Sequence, residues 1–316
     1  MKIDPRHLEI LSAIVDQGGL TEGAEALGKS QPSVSRTVTM LEERIGMPLF
    51  EKGRRPLVPT EVCQALAIEG RKIRQAGTNS SELIANFSGG KAGIIRVGGT
   101  PVFMDGVISN LIAKFQLAYP AIRIDQSYGY ASELERQLES GTLDIGITPM
   151  EPDAVQDVFE FEQLLPGRNV IVCGVTHPLA QRADIKISEI ANYPWIAPPP
   201  NSPLYQDLRS VLNSIGVTDF KVSFSGGSLS SIVNILSQSD SLTVLPFSVV
   251  FMLRKQKTLA PLDIRISHPK RNLGMLMSSG QEERSSVKRF KRFMREEFDG
   301  LLTTMESYQS KSTQSN

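Results

Sequence analysis

Apolar residues recur at helical spacing through the first sixty positions of the chain, in three short runs separated by glycine. Leu8, Leu11 and Val15 predict a first helix from about Pro5 to Asp16, ended by Gly18 and Gly19. A shorter helix is expected after Thr21, stopping at Gly28. In the third run Val34, Val38, Leu41 and Ile45 follow one another at spacings of four, three and four, which is one buried stripe. Ser30 is the expected N-cap, and Pro32 falls in the first turn, where a missing N–H costs nothing. The opposite face carries Pro32, Arg36 and Thr39, with Ser33 and Ser35 at its flanks. That face is short, polar and armed with one long cation, which suits close approach to base edges and phosphates.

The pattern changes after Pro59 and Thr60. Val62, Leu66, Glu69, Ile73, Ala76, Ser80, Leu83 and Phe87 alternate in steps of four and three, six of the eight apolar, as in a heptad seam. An amphipathic helix lying on its own domain would give a similar stripe. Residues 89–93, rich in glycine, predict a hinge. Beyond it strands and helices alternate. Strands are expected at Ile94 to Val97, Ala121 to Ile124 and Leu143 to Ile147, with helices at Met104 to Leu117 and Ser132 to Glu139. A second set runs from Asn169 to Leu245. Such alternation predicts βαβ units, a mostly parallel sheet and two α/β lobes.

With 316 residues, 40% of them hydrophobic, the chain is long enough for several packed domains. It has two cysteines, Cys63 and Cys173, in no metal-ligand spacing and best read as reduced and buried. No apolar run reaches signal-peptide or membrane-span length, so a cytoplasmic protein without a membrane partner is expected. Net charge is zero, and residues 1 to 60 hold eight Lys/Arg against eight Asp/Glu. Position matters more than the sum: Lys29, Arg36, Lys52, Arg54 and Arg55 gather at the third helix and the segment after it. A patch that small gives modest, salt-dependent affinity for nucleic acid per copy, so more than one copy is expected on DNA.

Nothing resembles a catalytic set. His7, His177 and His268 are scattered, and Glu42-Glu43, Glu282-Glu283 and Glu296-Glu297 are adjacent pairs that point about 100° apart on a helix. The glycine pairs lack the Lys-Ser/Thr of a P-loop. No metal site, cofactor or enzyme activity is expected. The basic cluster Arg284 to Arg295 reads as a solvated helix face, and the polar stretch from residue 303 to 316 as a flexible tail.

Several offsets together carry a family resemblance: Ala24-Glu25-Ala26-Leu27, Ser30-Gln31-Pro32 with Val34-Ser35-Arg36, Leu41-Glu42, Gly46, Leu49-Phe50 and Thr60-Glu61. The chain resembles the LysR-type transcriptional regulators. This implies an N-terminal winged helix-turn-helix over residues 1–60, with Gln31, Pro32, Ser33, Ser35, Arg36 and Thr39 facing DNA and Arg54 and Arg55 in the wing. Lys52 stands where the family often has arginine, and Cys63 where it often has glycine. Residues 61–88 would be the linker helix, pairing subunits through Val62, Leu66, Ile73, Ala76, Leu83 and Phe87. Residues 94–302 would form an effector-binding domain like the periplasmic binding proteins, with lobe I at 94–164 and 268–302 and lobe II at 168–262. Gly141 to Ile147, His177 to Ala180 and Leu242 to Pro246 support that half.

Ligands of open α/β sheets bind beyond the carboxyl ends of strands. Applied to both lobes, this selects Thr100, Val102, Phe103, Thr148, Ser202 and Gly226 as effector contacts. Free N–H groups at the neighbouring helix starts would suit an anion. Ordinary N-capping is the competing role of the hydroxyls. Val102 stands where some anion-responsive family members have a second hydroxyl, and Phe103 favours a ligand with apolar surface. The expected whole is a DNA-binding regulator controlled by a small anionic or polar metabolite, reading a partly palindromic operator as a homodimer assembled further into a homotetramer. The alternatives are a solute-binding or enzymatic α/β protein without specific DNA binding, or a regulator that needs no effector.

Overall fold

The computed structural model describes residues 3–51, 53, 56–87, 93–200, 202–226, 228–280 and 283–314. It divides into two compact units, residues 1–93 with 136–143, and residues 94–135 with 144–316.

In the first unit, the Asp4 carboxylate accepts the Arg6 N–H at 3.0 Å and so caps α1 (Pro5–Gln17). Gly18 ends that helix in the left-handed conformation, and α2 (Leu20–Ala26) and α3 (Gln31–Ile45) follow. Leu11, Ile14, Ala24, Val34, Leu41 and Leu49 are sealed from solvent between the three helices and the chain after them. Phe50 and Pro59 then form an antiparallel bridge, the base of a short wing. The Glu42 carboxylate accepts the Leu49 N–H at 2.7 Å and fixes the entry to it. Thr60 fixes the exit: its hydroxyl lies 3.0 Å from the Pro48 and Leu49 carbonyls and accepts from Cys63 N–H at 3.4 Å.

Helix α4 (Glu61–Phe87) is 27 residues long, or about 40 Å. It crosses α1 closely enough that a Cβ on Gly70 would lie 2.0 Å from the Leu8 carbonyl oxygen, so only glycine fits there. Asp16 of α1 binds Arg71 at 2.7 Å and Arg74 at 3.0 Å across the same crossing. The buried stripe of α4 is Cys63, Ala67 and Gly70, one position on from the expected seam. Val62 and Leu66 are half-buried against their own unit's core, so the early turns of α4 do serve that domain. Ile73 is half-buried, and Ala76, Ile68 and Ile84 are exposed. The side chains of Leu83 and Phe87, and the expected hinge residues before Gly93, lie outside the described residues.

The chain then runs through β1 (Gly93–Gly99), α5 (Pro101–Phe103), a single π turn (Met104–Ile108) and α6 (Ser109–Ala118). Then come β2 (Ile122–Tyr128), α7 (Ala131–Glu139), β3 (Ile145–Met150) and β4 (Phe159–Leu165). The chain crosses into β5 (Asn169–Gly174), α8 (Ile187–Ile190), β6 (Trp195–Ala197), α9 (Pro203–Ser214), β7 (Val222–Ser225) and α10 (Leu229–Gln238). It continues through β8 (Thr243–Pro246), α11 (Phe247–Leu253) and β9 (Leu259–Pro261), and returns as β10 (Asn272–Ser278) and α12 (Ser285–Gln314).

The sheets correct the mostly parallel expectation. The first lobe has the order β2-β1-β3-β10-β4, in which β1 and β3 are parallel but β10 runs antiparallel to both β3 and β4. In the second lobe β5 is antiparallel to both β8 and β9, while β6 is parallel to β7 and makes a parallel bridge from Trp195 to Leu242. In the first sheet the cause is the return crossing, which inserts β10 from the opposite direction. One large core includes Ile95, Met104 and Phe290 of the first lobe with Val172, Leu236 and Val249 of the second, so the lobes share an apolar contact.

The flexible tail expected over 303–316 is also corrected, because α12 runs to Gln314. Its polar composition concealed a buried stripe. Phe290, Met294 and Phe298 lie in the core shared by the lobes, with Phe290 edge-on to Phe115 at 5.0 Å. Two turns later Met305 packs with Phe247 and Phe251 of α11, and Tyr308 meets Phe251 at 5.5 Å.

Candidate functional site

The first candidate surface is the outward side of α3. Gln31, Pro32, Ser33, Arg36 and Thr39 are exposed and Ser35 is half-buried, while Val34, Val38 and Leu41 anchor the other side. Ser30 has the N-cap backbone conformation, but its hydroxyl makes no cap bond, contrary to expectation. Its carbonyl instead accepts from Ser33 and Val34 at 3.0 and 3.2 Å. Arg36 Nε donates to the Pro32 carbonyl at 3.2 Å, and the Thr39 hydroxyl to Ser35 at 3.2 Å. These are local, solvent-exposed bonds that a stronger acceptor can replace. The wing residues Arg54 and Arg55 lie outside the described residues.

The second candidate is a cleft within the larger unit, about 1130 Å³ in volume with part of it open to solvent. Of the six expected effector residues, Thr100, Val102, Phe103 and Gly226 line it. Thr148 does not: it sits inside β3, which continues to Met150, and its hydroxyl lies 3.0 Å from that of Thr100 in a buried pair. Ser202 does not either. Its buried hydroxyl accepts the Leu204 N–H at 3.1 Å, an ordinary cap of α9.

The expected cradle of free N–H groups is largely spent within the fold. Prolines occupy the first position of both α5 and α9 and have no N–H to offer. Phe103 and Met104 donate to the Thr100 carbonyl, and Tyr205 to that of Ser202.

The cleft's charged groups come from segments that sequence reasoning passed over. β4 leads through Pro166 and Gly167 to Arg168, beside the returning segment that ends in Arg271. A Cβ on Gly167 would lie 2.1 Å from the Arg271 carbonyl oxygen, so the two crossings run in direct contact. Arg271 forms an ion pair with Asp207 of α9. Burial pushes the Asp207 carboxyl above the ordinary range, against the pull of Arg271. The Arg168 guanidinium stacks 4.5 Å from the centre of the Phe247 ring, and its Nε is buried without a hydrogen-bond partner. Desolvation lowers the Arg168 pKa from its ordinary value. A signal existed in the sequence: an arginine between two strands at a lobe crossing. Its setting against Phe247 did not.

Among the described residues no group of His, Cys, Asp and Glu converges to hold a metal ion, and no helix is long and apolar enough to cross a membrane. Cys63 and Cys173 are both buried, and burial pushes each thiol up to about 12.

An exposed polar helix face on a small helical unit, and a two-lobed α/β unit with a cleft at its crossings, define a DNA-reading protein with a ligand-binding half. Two family models divide the chain accordingly: "Bacterial regulatory helix-turn-helix protein, lysR family" matches residues 5–64, and "LysR substrate binding domain" residues 88–299. The chain belongs to the LysR family and is a DNA-binding transcriptional regulator with an effector-binding domain, not an enzyme. The regulator CysB of Haemophilus influenzae is 26% identical over 213 residues, 67% of this chain and 66% of that protein. The activator CmpR of Synechocystis is 27% identical over 60% of this chain and 62% of its own length. A full-length OxyR variant of Pseudomonas aeruginosa, carrying one cysteine substitution, shares the fold with a TM-score of 0.69 at 16% identity, covering 94% of this chain and 95% of that one. CbnR in complex with its target DNA gives a TM-score of 0.65 at 15% identity, covering 93% and 99%.

Proposed function

We propose that this regulator reads a partly two-fold-symmetric operator as a homodimer, paired further into a tetramer, in the cytoplasm. Gln31, Pro32, Ser33, Ser35, Arg36 and Thr39 approach the bases, and Arg54 and Arg55 reach the phosphates or the minor groove from the wing. The carrying observation is the sidedness of α3, whose polar residues are exposed while its apolar stripe is sealed. Pairing through α4 is supported by apolar residues left exposed on it, Ile68 and Ile84. Of the six proposed seam residues, Val62 and Leu66 serve mainly their own unit, which leaves Ile73, Ala76, Leu83 and Phe87 for the partner.

A small metabolite binds in the cleft against Thr100, Val102, Phe103 and Gly226, with Thr148 and Ser202 holding the walls behind them. To regulate, it must bind one lobe arrangement more tightly than the other. The two buried thiols, protonated at neutral pH, speak against sensing by cysteine oxidation.

Footprinting on the protein's own promoter, with and without candidate metabolites, tests the reading. It expects a protected site with two half-sites, and a change in its extent or in hypersensitive positions on adding effector. A footprint of a single half-site would refute the dimeric reader, and one unaltered by any metabolite would refute effector control.

A further inference from the structure

Arg168, Asp207 and Arg271 are the charged side chains on the cleft wall. Asp207 and Arg271 neutralise each other in their ion pair, which leaves a single uncompensated positive charge. Arg168 carries it. No carboxylate pairs with it among the described residues, one face of its guanidinium is taken up by Phe247, and its buried Nε has nothing to donate to. A buried donor in that state lacks a partner worth a charge-assisted hydrogen bond.

Two of the neutral polar groups on the wall are occupied, and Tyr130, Asn169 and Ser248 also line it. The Thr243 hydroxyl donates to the Ile196 carbonyl at 2.8 Å, and that of Thr100 is paired with Thr148. Helices α5 and α9 begin with proline, and at the start of α10 the Ser228 hydroxyl and carbonyl already accept from the Ser231 and Ile232 N–H groups. Much of the remaining wall is apolar, including Val102, Phe103, Leu208, Ile232 and Met305. One cation in an apolar cleft matches an organic anion of single charge. It is a poorer match for sulfate or phosphate, whose second charge would go uncompensated.

We infer that the effector is an apolar monocarboxylate, with its carboxylate on Arg168 and its hydrocarbon body against Phe103, Leu208 and Ile232. This rests on the cleft being the effector site. Phe247 keeps the guanidinium flat and in place, while Asp207 holds Arg271 away from the ligand. Selectivity comes from charge at one end and dry contact at the other.

The test compares benzoate and hexanoate with benzamide and hexanamide, and with sodium sulfate, at constant ionic strength on the full-length protein. Thermal stability and the emission of Trp195 are the readouts, since Trp195 is fully buried and heads the strand whose Ile196 and Ala197 line the cleft. The acids should bind about tenfold or more tighter than their amides, the worth of one charge-assisted hydrogen bond. Arg168→Gln should bring each acid down to its amide while leaving amide binding unchanged, and Arg168→Lys should restore part of the difference. The acid-to-amide comparison in the unmodified protein decides the matter even if the variants fold poorly. Equal binding of acid and amide, or tighter binding of sulfate, would overturn the monocarboxylate and leave the cleft as effector site. A response to none of these probes, charged or neutral, would count against the monocarboxylate and the cleft together.

Discussion

Two arginines show how the halves of this protein use the same charge. Arg36 stands on an exposed helix face, bonded only to its own helix, while Arg168 has its Nε sealed from water and its ring-side occupied by Phe247. In water a charge is screened and cheap to keep, so a surface that reads DNA needs several cations and many copies of a weak attraction. In an apolar cleft one charge is costly to maintain and correspondingly selective. The lesson is that depth, more than number, sets what a cation recognises.

The comparison is sharpened furthest by a buried charge that serves the fold alone. Asp144 accepts from the Arg96 N–H and guanidinium, each at 2.7 Å, and pairs with Arg284. Asp144→Ala leaves two arginines without their carboxylate and should cost about 3–5 kcal/mol in chemical denaturation. A loss under about 1 kcal/mol, the worth of an exposed pair, would mean that depth matters less than claimed. Gly70→Ala, which forces a methyl against the Leu8 carbonyl, should destabilise the smaller unit by about 1–3 kcal/mol without changing the acid-to-amide ratio of the cleft. Arg36→Ala should lower specific DNA affinity by about 1–3 kcal/mol and relax discrimination at the base it meets, read by titration of labelled operator variants. Unchanged affinity and discrimination would show that Arg36 does not meet the bases.

A smaller effect is set by pH. His177 is buried, its Nδ1 accepts the Leu179 N–H at 3.0 Å, and its Nε2 faces the Asp240 carbonyl at 3.3 Å, an arrangement for the neutral ring. Burial lowers its pKa below 6.5 despite the Asp240 carbonyl. A lowered value in the folded state means the unfolded chain binds the proton more readily, so stability is full above about pH 6.5 and is lost as pH falls below it. His268, lowered by burial and by Arg168, acts in the same direction. Melting temperature should therefore rise from about pH 5 to about pH 7, and His177→Asn should remove part of the rise. The smallest change is a gain: Gly300 lies inside α12 with open space where a Cβ would be, so Gly300→Ala should stabilise by about 0.5–1 kcal/mol.

What could be read from the sequence follows the same division. The face of α3 was legible because its residues share one helix, and a period of three to four places Arg36 opposite Val34 and Val38 without any tertiary information. Thr60 and Glu42 belonged to that local grammar as well, and each holds one end of the wing segment. The cleft was legible only at its strand ends. Arg168, Asp207, Arg271 and Met305 meet from four distant segments, and no period connects them. The hydroxyls of Ser202 and Thr148 mark them in the sequence, and the fold spends them on a cap and on a buried partner. Serine and threonine before a helix look alike in sequence whichever use prevails. The end of the chain is polar in composition and so resembles a flexible tail, although Met305 and Tyr308, three residues apart, mark a helical stripe.

Helix α12 begins in the core shared by the lobes and ends on α11, so one rod spans the crossing that the ligand is proposed to adjust. On the first lobe it is pinned outside the core by Lys114 to Glu297 at 2.6 Å and Arg295 to Glu162 at 2.5 Å. Gly300 falls between those pins and Met305, which touches both α11 and the cleft wall. One continuous helix thereby ties the sheet of the first lobe to α11 and to the wall of the cleft.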